Sequence, residues 1–142
     1  MGITTDKMDT NPNQIYLIRS DGAADKYFVG LFGQQKDNLV GTVKCANAGV
    51  KYISGSTAQV SSYLVRSDGA VDRITTGVAI SHTMNPPPGL KYTEACAGNY
   101  ASYLLRSDGK IDRTKGHGSV SSTLNAPENL KKAGKTSTCS VM

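Results

Sequence analysis

The sequence lacks the features that most directly indicate membrane insertion, secretion or a metal centre. No apolar run approaches the roughly 18 residues that a membrane-spanning helix requires, and residues 1–13 contain no apolar stretch resembling a signal peptide. The three cysteines, Cys45, Cys96 and Cys139, include no Cys-x-x-Cys pair, so neither a zinc site nor a disulfide framework is predicted. These absences favour an intracellular, cytoplasmic protein without a metal ion.

Candidates for catalysis are scarce as well. His82 and His117 are the two histidines, and neither follows a recognisable Ser-His-Asp or Cys-His order. Pairs of aspartates do recur around a glycine, but a catalytic pair is normally needed once, and aspartate is a common turn former. We predict that the first aspartate of each pair shapes a turn, that the second faces solvent, and that the protein is not an enzyme and has no cofactor. The pairs are Asp21 and Asp25, Asp68 and Asp72, and Asp108 and Asp112.

What the sequence does contain is an internal repeat. Ser62–Arg73 returns as Ser102–Arg113, and Tyr16–Lys26 is a looser copy. The longer stretch Lys51–Pro87 matches Lys91–Pro127 at 15 of 37 positions without a gap. A repeat of this length indicates stacked units that share a core, which argues for an architecture more than for a chemistry.

Short strands are predicted within each unit. Val60–Arg66 is followed by the tight turn Ser67–Gly69, and Ala70–Thr75 returns as the hairpin partner. The first of these strands carries apolar residues on both faces, which is typical of a sheet packed between two neighbours. Together with 15 glycines and many serines and threonines, this pattern predicts an all-β protein.

The repeat divides the chain into a flexible N-terminal segment, 1–14, and a single repeat domain, 15–142. Within the domain, three units of about 40 residues span about 15–50, 51–90 and 91–130. A tail follows them at 131–142. The first unit lacks an obvious strand before Tyr16, so the tail is predicted to supply that strand and to close the fold.

The stretch Pro88–Gly109 resembles the repeat of the regulator-of-chromosome-condensation family. It shares the order of an Ala-Gly pair, an apolar strand and an Asp-Gly turn, here Ala97-Gly98, Leu104 and Asp108-Gly109. Ala101 stands where the family usually has a histidine, and no Trp-Gly follows the turn. The resemblance implies propeller-like blades and a non-catalytic protein-binding or scaffolding module, such as an accessory subunit of a larger assembly. Because three blades are fewer than a propeller usually has, it also implies self-association or docking onto a protein partner.

A β-trefoil is the alternative fold. Three units in a chain of 142 residues fit its pseudo-threefold plan, and Leu105–Arg113 resembles a hairpin of trefoils related to fibroblast growth factors. A trefoil would imply a lectin-like protein that binds carbohydrate at up to three equivalent sites. The Gln-x-Trp signature of ricin-type lectins is absent.

The net charge of +5 gives a mild preference for anionic partners. No run of Lys and Arg exceeds two residues, so nucleic acid is not a predicted partner. Arg19, Arg66 and Arg106 recur next to aspartates, and we predict cross-strand pairing between them. Arg73 and Arg113 are the residues predicted to contact an anion or a protein partner.

The last four residues, Cys139–Met142, loosely match a prenylation box. Lys131, Lys132 and Lys135 lie just upstream and would supply the basic second signal that a single prenyl chain needs. Modification of Cys139 would make the protein a peripheral membrane adaptor that contacts the membrane through its tail. The same residues align with the start of a fourth unit, so a buried closing strand is the competing prediction.

Overall fold

The chain forms three similar sheets. The computed structural model describes residues 3–5, 13–29, 38–58, 61–115 and 119–126. Its strands are β1 (Ile3–Thr5), β2 (Asn13–Ile18), β3 (Ala24–Val29), β4 (Asn38–Val43), β5 (Tyr52–Thr57), β6 (Ser62–Arg66), β7 (Val71–Ile74), β8 (Ile80–Met84), β9 (Tyr92–Cys96), β10 (Ser102–Arg106), β11 (Lys110–Thr114) and β12 (Val120–Asn125). Consecutive strands pair in the orders β1-β2-β3-β4, β5-β6-β7-β8 and β9-β10-β11-β12. All pairs are antiparallel, and we name the sheets blade 1, blade 2 and blade 3.

The central hairpin of each blade follows from the repeated Arg-Ser-Asp-Gly sequence. In blade 2, the Gly69 amide donates to the Arg66 carbonyl oxygen at 3.0 Å. The Asp68 carboxylate accepts from the Ala70 amide at 3.2 Å. Gly69 has a φ of 93°, which a residue without a Cβ adopts at little cost. The chain therefore reverses here and returns as β7, as the sequence predicted.

The blades pack side by side through their first strands. Strand β5 lies against β1 and β2 of blade 1, and β9 lies against β5 and β6 of blade 2. The apolar cluster between blades 1 and 2 comprises Tyr16, Ile18, Ala24, Val43, Tyr52, Leu64 and Ile74. The cluster between blades 2 and 3 comprises Ala58, Tyr63, Val65, Val71, Met84, Tyr92, Ala95, Ala97 and Leu104. The core is therefore made of the contacts between blades.

Each blade has two faces, which we name by their direction in chain order. The forward face is on the side of the next blade and carries Tyr16, Tyr63 and Tyr103 in blades 1, 2 and 3. The backward face is on the side of the preceding blade and carries Leu17, Leu64 and Leu104. In blade 2, β6 and β7 are buried along their whole length, which confirms the prediction of a sheet packed between two neighbours. In blade 3, β12 is exposed along its whole length.

A glycine carbonyl joins each of the first two blades to the next. The Tyr52 amide donates to the Gly22 carbonyl oxygen, and the Tyr92 amide donates to that of Gly69, both at 2.9 Å. A Cβ on Gly69 would lie 2.6 Å from Lys91 Cγ, well inside van der Waals contact. Blade 3 therefore begins so close to the turn of blade 2 that a side chain does not fit between them.

The variant Gly69→Ala is expected to lose about 1 kcal/mol or more of stability beyond the loss in Gly49→Ala, because it also forces two blades apart. Both glycines have a positive φ, 93° and 77°, so both variants lose the energy of placing alanine in the left-handed region. A Cβ on Gly49 meets nothing within 4 Å, whereas one on Gly69 meets the Lys91 Cα at 2.9 Å. Urea unfolding of both variants measures the difference. Equal losses would mean that the blades yield freely at this contact.

The N-terminal segment differs from its prediction. The sequence predicts a flexible segment over 1–14, but the structure places β1 there and begins β2 at Asn13. Ile3 lies opposite Leu17 in the ladder between these strands. Backbone hydrogen bonds to β2 define this edge strand, and they need no alternating apolar pattern. β1 therefore occupies the position that the tail was predicted to fill, and residues 127–142 lie outside the described residues.

The sheets confirm the prediction of an all-β fold with propeller-like blades. Each unit is a single sheet of four consecutive strands. The proline-rich run 86–89 lies in the connection between β8 and β9, as its prolines require, because they cannot continue a ladder of backbone hydrogen bonds. The β-trefoil alternative is not confirmed.

Candidate functional site

A buried carboxylate, Asp72, lies within blade 2 and collects three donors. Its side chain is fully buried. The Tyr52 hydroxyl donates to it at 2.6 Å and the Thr83 hydroxyl at 2.7 Å. Arg66 Nη1 donates at 3.3 Å, and the same guanidinium holds Asp68 through Nη2 at 2.5 Å. One arginine therefore links both carboxylates across the turn.

Blade 3 repeats this network, and blade 1 contains part of it. The donors to Asp112 are the side chains of Tyr92, Thr123 and Arg106, at 2.7, 2.7 and 3.2 Å. The donors to Asp25 are the side chains of Thr42 and Arg19, at 2.7 and 3.4 Å. The repetition in every blade indicates a structural role, because the same contacts hold the strands of each sheet together.

These contacts test the predictions about the recurring charges. The predicted pairing of Arg19, Arg66 and Arg106 with neighbouring aspartates is confirmed. The prediction that the second aspartate of each pair faces solvent is wrong for Asp72 and Asp112, which are 0% and 2% exposed. Burial is tolerated because several donors satisfy each carboxylate.

Acid is expected to weaken the turns of the blades. Hydrogen bonds from Arg66 and the Ala70 amide hold the pKa of Asp68 below its ordinary value of 3.8. Because this pKa is lower in the folded state, the stability that the turn contributes is present above about pH 4 and is lost as the pH falls through the folded value. Urea midpoints measured between about pH 6 and pH 3 should show a smaller acid loss in Asp68→Asn than in the unchanged chain. An identical loss in both would contradict this assignment.

The two arginines predicted to contact a partner occupy equivalent positions on forward faces. Arg73 is 8% exposed, whereas Arg113 on blade 3 is half-buried. In blade 1 the same position is Lys26, whose Nζ donates to the Gly77 carbonyl oxygen of blade 2 at 2.8 Å. In blade 1 the cationic side chain at this position therefore contacts the following blade. Contact with an anion or a partner stays a prediction for both arginines.

The forward face of blade 3 keeps the residue types that are buried on the forward face of blade 2. On blade 2 the apolar members are Tyr63, Val65, Val71 and Met84, of which the most exposed is Met84 at 4%. On blade 3 the equivalents are Tyr103, Leu105, Ile111 and Leu124. Tyr103 is 43% exposed and Leu124 is 45% exposed. The same kind of surface is therefore covered in blade 2 and open in blade 3.

Blade 1 has an open face of the opposite kind. Its backward face carries Ile15, Leu17 and Tyr27, all half-buried, and Leu39, which is 56% exposed. Leu17 occupies the position of Leu64, which is fully buried in the cluster between blades 1 and 2. Sequence reasoning did not identify either open face. The signal that could have done so is the recurrence of one apolar pattern at equivalent positions in all three units.

A groove of about 260 Å³ lies between the β2–β3 turn and the connection from β4 to β5. Its lining includes Asp21, Lys44 and Cys45. Asp21 is already paired with Arg19 at 2.7 Å. Burial raises the pKa of the Cys45 thiol, so the thiol stays protonated near neutral pH and is a poor nucleophile.

Metal and cysteine chemistry can be stated for the described part of the chain. Residues 3–5, 13–29, 38–58, 61–115 and 119–126 contain no group of three or more His, Cys, Asp or Glu side chains able to hold a metal ion. Cys45 is a free thiol, and Cys96 is disulfide-bonded, a bond that the sequence did not predict. Cys139 of the predicted prenylation box lies outside the described residues.

Membrane contact and carbohydrate binding gain no support. In the part of the chain that the structure describes, no helix has the length and apolar character needed to cross a bilayer. The predicted lectin-like activity and the predicted membrane contact through the tail stay untested predictions.

The blade architecture is that of a β-propeller-like protein. The chain is similar to the crystal structure of BamB from Moraxella catarrhalis, a β-propeller, with a TM-score of 0.63 and 12% identity over 87% of this chain and 36% of that one. It is also similar to human WBSCR16, with a TM-score of 0.52 and 13% identity over 70% of this chain and 31% of that one. The chain thus spans about a third of each structure. No protein-family model and no curated protein matches the sequence.

Proposed function

We propose that the protein is a non-catalytic protein-interaction module of propeller-like blades that acts as an accessory part of a larger assembly. The observation that carries this proposal is the open forward face of blade 3. Tyr103 is 43% exposed there, although its equivalent Tyr63 is 2% exposed under the next blade. An apolar surface that recurs at a contact position and is exposed is typical of an interaction site.

The chemistry of this face supports a protein partner. Tyr103 and Arg113 belong to the residue types that carry most of the binding energy in protein interfaces. On blade 2 the equivalent face packs against a neighbouring sheet rather than enclosing a cavity. A surface of this shape favours another sheet over a small ligand.

The polar clusters support a non-catalytic role. Asp72 and Asp112 are buried and hold their own blades through arginine, tyrosine and threonine donors. A general acid or base must reach a substrate proton, and neither carboxylate is accessible for that. The Cys45 thiol in the groove also supports a non-catalytic role, because burial raises its pKa and a protonated thiol is a poor nucleophile.

We also propose that the blades are repeats of the regulator-of-chromosome-condensation type. The Ala97-Gly98 pair, the strand β10 and the Asp108-Gly109 turn supply the motif order that supports this. The similarity in structure to WBSCR16, a protein like the regulator of chromosome condensation, is consistent with it.

A comparison of retained proteins tests the proposed function. The full chain and its Tyr103→Lys variant are immobilised and exposed to native cell extract, with Tyr100→Lys as the matched control because Tyr100 is 93% exposed in the β9–β10 connection. We expect retention by the unchanged chain and the control, and loss with Tyr103→Lys. Reversing the charge of Arg113, which lies on the same open face, should also weaken retention. Binding that ignores the Tyr103 substitution would exclude this face.

Location and modification are separate proposals with one measurement in common. We propose a cytoplasmic location, with membrane association if Cys139 is prenylated. The mass of the chain purified without reductant shows either an added lipid or the loss of two hydrogens to a disulfide. Because disulfides are rare in reducing compartments, a retained Cys96 bond in the cell would contradict the cytoplasmic location. A glycan array tests the carbohydrate alternative, which the protein-binding proposal expects to be negative.

A further inference from the structure

We infer that the partner of the open forward face is a second copy of this chain, docked head to tail so that its blade 1 covers blade 3. This inference rests on the proposed function and adds the identity of the partner. It follows from the way in which the two internal contacts of the chain are built.

Both internal contacts join a forward face to a backward face. The forward face of blade 1, with Tyr16 and Ile18, packs on Leu64 of blade 2. The forward face of blade 2, with Tyr63, packs on Leu104 of blade 3. The fold therefore has one kind of contact, which it uses twice, and each contact needs one face of each kind.

Among the described residues, one face of each kind is open. Blade 3 exposes the forward face, with Tyr103 at 43% and Leu124 at 45% exposure. Blade 1 exposes the backward face, with Leu39 at 56% exposure and Leu17 half-buried. Blade 2 lies between them, so the two faces of one chain look away from each other. Two chains can pair these faces without any new kind of contact.

The leucine at the centre of the backward face is kept in blade 1. Leu17, Leu64 and Leu104 occupy equivalent positions, and the last two are fully buried under a preceding blade. One other position changes in blade 1, where Ile15 replaces the serine that is Ser62 in blade 2 and Ser102 in blade 3. At that position the open backward face is more apolar than its covered equivalents, and apolar character is common in obligate interfaces between subunits.

The cationic side chain at the edge of the contact also has an equivalent on blade 3. Lys26 is 3% exposed and donates to the Gly77 carbonyl oxygen across the contact between blades 1 and 2. Arg113 holds the equivalent position on blade 3 and would approach the second copy in the same way.

Two head-to-tail contacts close the assembly. Two chains of three blades make a ring of six, which lies within the about four to eight blades of known propellers. A head-to-tail contact forms a closed ring when its rotation completes a circle, and an open fibre when it does not. The inference is therefore a two-fold symmetric dimer in which each contact is like the one between blades 2 and 3.

Light scattering after size exclusion tests the inference on the full chain. We expect a mass near twice the chain mass of 15.0 kDa. Tyr103→Lys on the forward face and Leu39→Lys on the backward face should each give the monomer, since each removes one half of both contacts. Tyr100→Lys is the matched control and should stay dimeric. The replaced side chains are exposed in the isolated chain, so the variants are expected to fold. Measurement of their unfolding temperatures checks this expectation.

Mixing the two variants separates head-to-tail docking from its alternatives. Tyr103→Lys and Leu39→Lys chains together retain one intact pair of faces, so the mixture should form a heterodimer although neither variant associates alone. A dimer formed by two identical faces would respond to one of the variants only, and that result would overturn the inference.

A monomeric unchanged chain at rising concentration would overturn it as well. If that monomer still retains another protein in a way that depends on Tyr103, the proposed function stands and the second copy is excluded. If it retains nothing, the proposed function fails with it.

Discussion

Replacing Asp72 with alanine is expected to lower the free energy of unfolding by about 3–5 kcal/mol, the range for removing one partner of a buried ion pair. The change takes the acceptor away from the Tyr52 and Thr83 hydroxyls and from one nitrogen of Arg66. Tyr52 and Arg66 are buried and Thr83 is half-buried, so water replaces the lost bonds only in part. Urea unfolding of Asp72→Ala measures the loss directly.

The three blades offer a matched series for this prediction. Asp112 has the same kinds of donors and a side chain that is 3% exposed, whereas the side chain of Asp25 is 18% exposed. We expect the loss on replacement by alanine to fall in the order Asp72, Asp112, Asp25. Equal losses at the three positions would show that burial is not the reason why the carboxylate matters.

The variant Leu64→Ala is expected to lose about 2–5 kcal/mol, because it removes a buried side chain and leaves a cavity. Leu64 is fully buried and lies in the cluster with Tyr16, Tyr52 and Ile74. The cavity would open at the contact between blades 1 and 2, so the loss reports how much that contact contributes. Thermal or urea unfolding measures it.

The equivalent Leu17→Ala variant is the control. Leu17 is half-buried on the open backward face of blade 1, so in the monomeric chain its loss should stay within about 1 kcal/mol. If a second copy covers this face, the loss should grow as the protein concentration rises. A large loss that is the same at every concentration would mean that Leu17 is already covered within one chain.

Sequence reasoning succeeds where the structural information is local. The turn at Ser67–Gly69 and the strands β6 and β7 on either side of it follow from turn formers between apolar segments. The same is true of the proline-rich connection at 86–89. Burial on both faces of blade 2 was also predictable, because the strand carries apolar residues without alternation.

The features that the sequence did not reveal depend on neighbours. Asp72 reads as a solvent-exposed charge until Tyr52 and Thr83 are brought beside it from other strands. β1 is defined by pairing with β2 and has little pattern of its own. Tyr63 and Tyr103 are the same residue in the same motif, and their exposure differs because a blade covers one of them.

Because the two internal contacts are of the same kind, such a chain can lengthen by whole units. Lys51–Pro87 and Lys91–Pro127 align without a gap, so an in-frame duplication of one unit would insert a complete blade that already fits both of its new neighbours. Stability in such arrays is close to a sum of unit and neighbour contributions, so each added blade would bring its own contact energy. The constraint that every copied unit must keep is the bare glycine of its turn, against which the next blade begins. A gene encoding six such units in tandem would form within one polypeptide the ring that two shorter chains would otherwise form by bimolecular association.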